Sequence, residues 1–127
     1  MVPRAKAVAA LTAVPGMGAR IDPHLHATEI RTMAADDLWL SPVYGHDAVA
    51  IHFTWHHKPA EVDALSREIE DMLLPIGGRP HWGKVLHADA ARLALLYPRM
   101  AAFRALADHY DPTGKFRNAY LTKHVFG

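Results

Sequence analysis

Between Ala48 and His56 large apolar side chains alternate with small or polar ones without a break. Val49, Ile51, Phe53 and Trp55 fall on one side, and Ala50, His52, Thr54 and His56 on the other. A period of two marks a β-strand buried on one face only. Such a strand belongs in an antiparallel sheet, with an apolar layer under one face and something polar over the other. Leu25 to Met33 carries the same period, with Thr28, Ile30 and Thr32 on one side and Ala27, Glu29 and Arg31 on the other.

Helical spacing appears elsewhere. Pro59 suits the first turn of a helix, and Glu61 and Asp63 complement its positive end. Val62, Leu65, Ile69, Met72 and Leu73 then form one apolar stripe, which leaves Arg67, Glu68, Glu70 and Asp71 to the wet side. Pro75 and the pair Gly77-Gly78 close that helix. An Ala-rich helix is expected from Ala5 to about Ala13, broken by Val14-Pro15-Gly16-Met17-Gly18. Asp89 caps a further helix through Leu96. Pro98 starts another, to about His109, with Met100, Phe103, Leu106 and Tyr110 facing inward. Leu38 to Pro42 reads as a short extended piece, Tyr44 to Asp47 as a turn, and Asp111-Pro112-Thr113-Gly114-Lys115 as an Asx-Pro-Gly turn. The expected architecture is α+β: an antiparallel sheet with helices packed on one face, in one domain over residues 1–127.

Composition removes several function classes. Fourteen Lys+Arg against 13 Asp+Glu leaves no basic excess for nucleic acid to meet. With no cysteine there is neither a disulfide framework nor thiolate chemistry, which fits a cytoplasmic protein. No apolar run approaches the roughly 20 residues of a transmembrane helix. The opening Met1 to Leu11 reads as part of a short helix rather than as a signal peptide.

Two polar pairs follow from the strand period: Glu29 with Arg31, and His52 with Thr54. If the strands are neighbours and the faces coincide, a carboxylate, a guanidinium, an imidazole and a hydroxyl meet. Such a set suits a polyhydroxylated substrate, whose hydroxyls donate to Glu29 and accept from Arg31 or Thr54. The plain alternative is an exposed sheet face with a surface ion pair, which contributes little. A third segment, Arg79-Pro80-His81-Trp82-Gly83-Lys84, packs cations, an imidazole and an indole into six residues. Were it extended, Lys84 would share a side with Trp82 and could complete the polar patch.

Other chemistries find less support. Of the ten histidines, His24, His26, His56 and His57 invite a metal reading, but no carboxylate-rich loop or helical His pair accompanies them, so no metal site is assigned. Ser41 and Ser66 lie in no nucleophile elbow. Gly16-Met17-Gly18 lacks the third glycine and the preceding strand of a phosphate loop.

Five segments occur in a telling order: Glu29-Ile30-Arg31, Asp37-Leu38-Trp39-Leu40-Ser41-Pro42, His52-Phe53-Thr54-Trp55, His81-Trp82-Gly83-Lys84, and Asp111-Pro112-Thr113-Gly114-Lys115-Phe116-Arg117-Asn118. Together they resemble the C-terminal domain of alditol (xylitol) oxidases. These belong to the wider family of D-arabinono-1,4-lactone and L-gulonolactone oxidases, flavoproteins of the vanillyl-alcohol-oxidase type. The resemblance runs from about Ala7 to Leu121. It implies a C-terminal substrate (cap) domain that closes over FAD held mainly by an N-terminal flavin-binding domain. That domain is not in these residues, and the chain reads as a truncated or split reading frame.

By residue match the resemblance implies that Glu29, Arg31, His52, Thr54 and Lys84 bind a polyol or sugar lactone. Arg31, Lys84 and Glu29 would stand nearest the chemistry, with the role of Glu29 as base open. His81, Trp82, Lys84 and Asn118 would lie against the cofactor. The implied reaction moves hydride from an alcohol carbon to flavin, with dioxygen reduced to hydrogen peroxide. The partner implied is a flavin domain, in cis or in trans. A non-catalytic polyol-binding module and an inactive remnant are the rival expectations.

Overall fold

The computed structural model describes residues 1–127. Its sheet has three antiparallel strands, β1 (Val2–Pro3), β2 (Leu25–Met33) and β3 (Ala48–Trp55), in the order β1-β3-β2. The register pairs Ala27 with Thr54, Glu29 with His52 and Arg31 with Ala50, after a bulge between Leu25 and Ala27. Opposed residues of an antiparallel pair share a face, so this register sorts the side chains into two sets.

The apolar set is covered by helices. Val49 and Ile51 pack with Val2 and with Ala10 of α1 (Ala7–Ala13). Phe53, Trp55 and Leu25 pack with Ile21 of α2 (Gly18–Ile21) and with Leu65 and Ile69 of α3 (Pro59–Leu73). The Pro-Gly stretch after α1 does not end helical structure as expected. Val14–Met17 forms a 3-10 turn, with Pro15 in its first turn, that leads straight into α2. Proline costs a helix least in its first turn, where its missing N–H has no partner to lose.

A second core gathers Leu74, Leu86, Ala88 and Val125 with Leu93 and Tyr97 at the C-terminal end of α4 (Ala90–Leu96) and Met100 of α5 (Met100–Tyr110). Asp89 caps α4, its Oδ1 accepting from the Arg92 N–H at 2.9 Å. Helix α5 opens at Met100, two residues after Pro98, and only its first half faces inward. Met100 is buried, whereas Leu106 and Tyr110 are 44% and 76% exposed, against expectation. The stripe continues on the helix, but Leu106 and Tyr110 stay open to solvent.

Glu70 is the clearest correction. Expected on the wet side of α3, it is only 9% exposed and accepts hydrogen bonds from the Ala88 N–H and, at 3.0 Å, the His87 N–H. A buried acceptor that satisfies two buried amides is worth more in place than in water. Gly77 and Gly78 are required for different reasons. Gly77 has φ +86°, and a Cβ on Gly78 would lie 2.6 Å from the Leu73 carbonyl oxygen.

Candidate substrate site

Strands β2 and β3 bring four of the expected residues onto one face: Glu29, Arg31, His52 and Thr54. The Arg31 guanidinium and His52 converge on a single oxygen, Glu29 Oε2, with His52 Nδ1 at 3.5 Å. Glu29 Oε1 makes no hydrogen bond and is available to an incoming hydroxyl. His52 Nδ1 is shielded from solvent and has no hydrogen-bond partner, so its nearest polar neighbour is the Glu29 carboxylate. Thr54 is exposed, opposite Ala27, whose small side chain leaves space beside the hydroxyl. The face can donate from Arg31, accept at Glu29 and do both at Thr54, which matches a row of hydroxyls.

Lys84 sits differently. Residues 81–84 form a turn, closed by the Lys84 N–H donating to the His81 carbonyl at 3.1 Å, so the condition of an extended segment is not met. The Gly83 N–H donates to His81 Nδ1 at 3.0 Å. Lys84 is exposed and makes no hydrogen bond or ion pair with Glu29, Arg31, His52 or Thr54. The turn is anchored to the helical core and not to the sheet. Trp82 packs against Tyr97 with ring centroids 5.2 Å apart and donates its indole N–H to the Leu40 carbonyl at 2.8 Å.

That bond ties the turn to the loop of residues 36–44, which is itself turned and not extended. Its Ser41 N–H donates to the Leu38 carbonyl at 2.9 Å, and the Ser41 hydroxyl to Asp36 Oδ2 at 2.7 Å. Arg79, missed as a structural residue, completes the join. Its side chain is buried and donates to the Tyr44 carbonyl at 2.9 Å and the Leu96 carbonyl at 2.9 Å, above the Tyr97 ring. Burial lowers the pKa of this guanidinium and raises that of the Tyr97 phenol. A cation followed at once by proline and two aromatics was the available signal.

Asn118 is partly committed as well. Its Oδ1 accepts from the Leu121 N–H at 2.8 Å and caps a short C-terminal helix, α6 (Ala119–Leu121). The preceding Asp111 carboxylate accepts from the Lys115 and Phe116 N–H groups at 2.7 and 3.0 Å, so this motif builds its own turn. Ser66 Oγ lies 2.9 Å from His87 Nε2, but Asp63 Oδ1 approaches the same ring nitrogen at 3.8 Å. A proton relay needs the acid and the hydroxyl on opposite nitrogens, so this trio is not one. No three His, Asp or Glu side chains gather as a metal site, and no helix is long and apolar enough to cross a membrane.

Two shallow, open cavities lie elsewhere, one beside Val14, Ile21 and Phe53, the other beside Trp55, His57 and Asp63. Neither includes Glu29, Arg31, His52 or Lys84. The polar face is thus an open surface, not an enclosed pocket.

Residues 1–124 match the family model of D-arabinono-1,4-lactone oxidase. The chain belongs to that family. It is 46% identical over 121 residues to an alditol oxidase of a Streptomyces species, which covers 95% of this chain and 29% of that protein. It is 36% identical over 107 residues to an L-gulono-1,4-lactone dehydrogenase of Mycobacterium tuberculosis, covering 83% of this chain and 24% of the relative. Bovine L-gulonolactone oxidase is 30% identical over 129 residues, covering 96% of this chain and 29% of the relative. The chain therefore spans under a third of the length of these relatives of the D-arabinono-1,4-lactone oxidase family.

Proposed function

We propose that this chain is the C-terminal substrate (cap) domain of an FAD-dependent oxidase of sugar alcohols or aldonolactones, working with a flavin-binding domain in cis or in trans. The observation that carries this reading is the convergence of Glu29, Arg31, His52 and Thr54 on one uncovered sheet face. The similarity to an alditol oxidase and a gulonolactone oxidase supports sugar alcohols or aldonolactones as the substrate class. A cytoplasmic location belongs to the same reading, supported by the cysteine-free composition.

The residues present fit one wall of a flavin site rather than a cradle for the whole cofactor. No phosphate-binding loop is available, and the Trp82 N–H is taken by Leu40. The Lys84 ammonium, the second ring nitrogen of His81 and the Asn118 amide N–H₂ make no bonds within the chain. These groups would hold the flavin edge, with Trp82 as the apolar body behind them. When bound, FAD would supply the hydride acceptor and would pass the two electrons on to dioxygen, which is reduced to hydrogen peroxide.

The chain's own residues then divide the remaining work. Arg31 on the sheet face would stabilise negative charge developing on the reacting oxygen, where a fixed cation outperforms water because it needs no reorganisation, and Lys84 would meet that oxygen from the separate turn at the flavin edge. Glu29 accepts from a substrate hydroxyl through its free Oε1 and holds Arg31 in place through Oε2. His52 lies beside that carboxylate, its Nδ1 3.5 Å from Glu29 Oε2, and would line the substrate face. Thr54 donates to one hydroxyl and accepts from another.

The test is to combine the chain with a flavin-binding domain of the family and follow xylitol-dependent peroxide. Peroxide that appears only in the mixture, and falls when Lys84→Ala is used, supports the reading. Calorimetric binding of xylitol by the chain with no peroxide in any mixture would favour a non-catalytic polyol-binding module.

A further inference from the structure

We propose that Tyr120 is a positioning residue for the turn of residues 81–84. By gripping the Trp82–Gly83 peptide it holds His81 with its proton on Nε2, the ring nitrogen that would donate to the flavin edge. The Tyr120 hydroxyl donates to the Trp82 carbonyl. It is the one hydrogen bond from outside the turn that reaches the backbone of residues 81–84. The same peptide group carries the Gly83 N–H, which donates to His81 Nδ1 at 3.0 Å. A ring nitrogen that accepts a hydrogen bond carries no proton, so in the neutral imidazole the proton sits on Nε2. Two hydrogen bonds through one peptide reinforce each other, because a donor at the carbonyl oxygen polarises the N–H behind it. His81 is exposed and its Nε2 makes no bond within the chain, so this N–H is presented outward.

Tyr120 is itself fixed from the helical core. It lies in α6, whose N-terminus Asn118 Oδ1 caps, and its ring packs against His124 with centroids 4.6 Å apart. His124 is buried, with Nδ1 donating to the Ala88 carbonyl at 2.6 Å, and the Ala88 N–H donates in turn to Glu70. The two segments assigned above to the flavin wall, the turn of residues 81–84 and the motif ending in Asn118, are thereby held as one unit. A donor on His81 Nε2 suits the carbonyl oxygens of a flavin edge, whereas a lone pair there would repel them. Without the Tyr120 hydroxyl the Trp82–Gly83 peptide is free to rotate, and His81 redistributes between its two tautomers. The tautomer follows from the chain's own hydrogen bonds; only the meeting of Nε2 with flavin rests on the oxidase role proposed above.

Long-range proton–nitrogen spectra of the isotope-labelled chain, recorded where His81 is neutral, test the proposal without flavin. Wild type is expected to show His81 with Nε2 protonated and Nδ1 bare. Tyr120→Phe keeps the ring against His124 and removes only the hydroxyl. It is expected to shift the Gly83 amide resonance upfield and to bring the second tautomer of His81 into view. In the assembly with a flavin domain, the same variant is expected to slow anaerobic flavin reduction by xylitol about 3–10-fold, the worth of one hydrogen bond. KM for xylitol is expected to stay unchanged, because the sheet face is untouched. The rate loss is expected to vanish in a His81→Ala background, as it must when Tyr120 acts through His81. Far-UV circular dichroism shows whether each variant is folded. A proton on Nδ1 of neutral His81 in wild type would overturn the proposal, as would a Tyr120→Phe chain whose Gly83 and His81 signals stay where they were. So would an unchanged reduction rate in an active assembly, or a loss that is just as large without His81, which marks a merely structural role. A wild-type assembly that reduces no flavin would count against the oxidase role alone, and the spectra of the chain would still decide the tautomer.

Discussion

Glu29 and His52 face each other across the β2–β3 ladder, with Glu29 Oε2 3.5 Å from His52 Nδ1. Arg31, two residues along the same strand, reaches that same oxygen. One carboxylate oxygen therefore anchors the cation beside the imidazole, and the other makes no hydrogen bond within the chain. In the assembled oxidase, Glu29→Gln is expected to lower kcat/KM for xylitol by about 10–100-fold, since it weakens the Arg31 anchor and the hydroxyl acceptor together. Steady-state peroxide assays check this.

Glu70 holds the segment that leads from the His81 turn into α4, through the His87 and Ala88 amides. Glu70→Ala leaves two buried donors unsatisfied and is expected to cost about 2–4 kcal/mol in urea unfolding. Glu70→Gln keeps one acceptor and is expected to lose less.

Arg79 joins the loop of residues 36–44 to the end of α4 through two carbonyls at 2.9 Å. Lysine carries the charge but not the planar fork, so Arg79→Lys is expected to destabilise the chain by about 1–3 kcal/mol. Thermal unfolding, read alongside the Trp82 fluorescence environment, measures it.

Much of the sheet was legible because its signal is local. Alternation over Ala48 to Trp55 and over Leu25 to Met33 fixes which side chains share a face, and a half-buried sheet tolerates no slip of register. The Lys84 turn was not legible in that way. Whether His81 to Lys84 runs extended or turns depends on Trp82 finding Leu40 and Tyr97, contacts more than ten residues distant. Glu70 was hidden for the same reason. Its place on α3 looks wet from helical spacing, until the His87 and Ala88 amides arrive from elsewhere in the chain. Leu106 and Tyr110 show the reverse: an apolar stripe without a cover in these residues.

Burial and the neighbouring Arg79 hold the His46 imidazole below its ordinary pKa. As pH falls through the histidine range the unfolded chain takes up this proton before the folded one does, so stability is lost on acidification and rises as pH rises. Urea unfolding across that range is expected to show the rise, and His46→Gln is expected to flatten it.

The central claim is that the β2–β3 polar face binds the alcohol while it is oxidised. Anaerobic mixing of xylitol with the assembled chain and flavin domain tests this most directly, by the rate at which the flavin absorbance bleaches. Rapid bleaching with wild type, slowed about 100-fold or more by Arg31→Ala, is the expected result. Equal rates for wild type and Arg31→Ala in a folded, flavin-loaded assembly would contradict it.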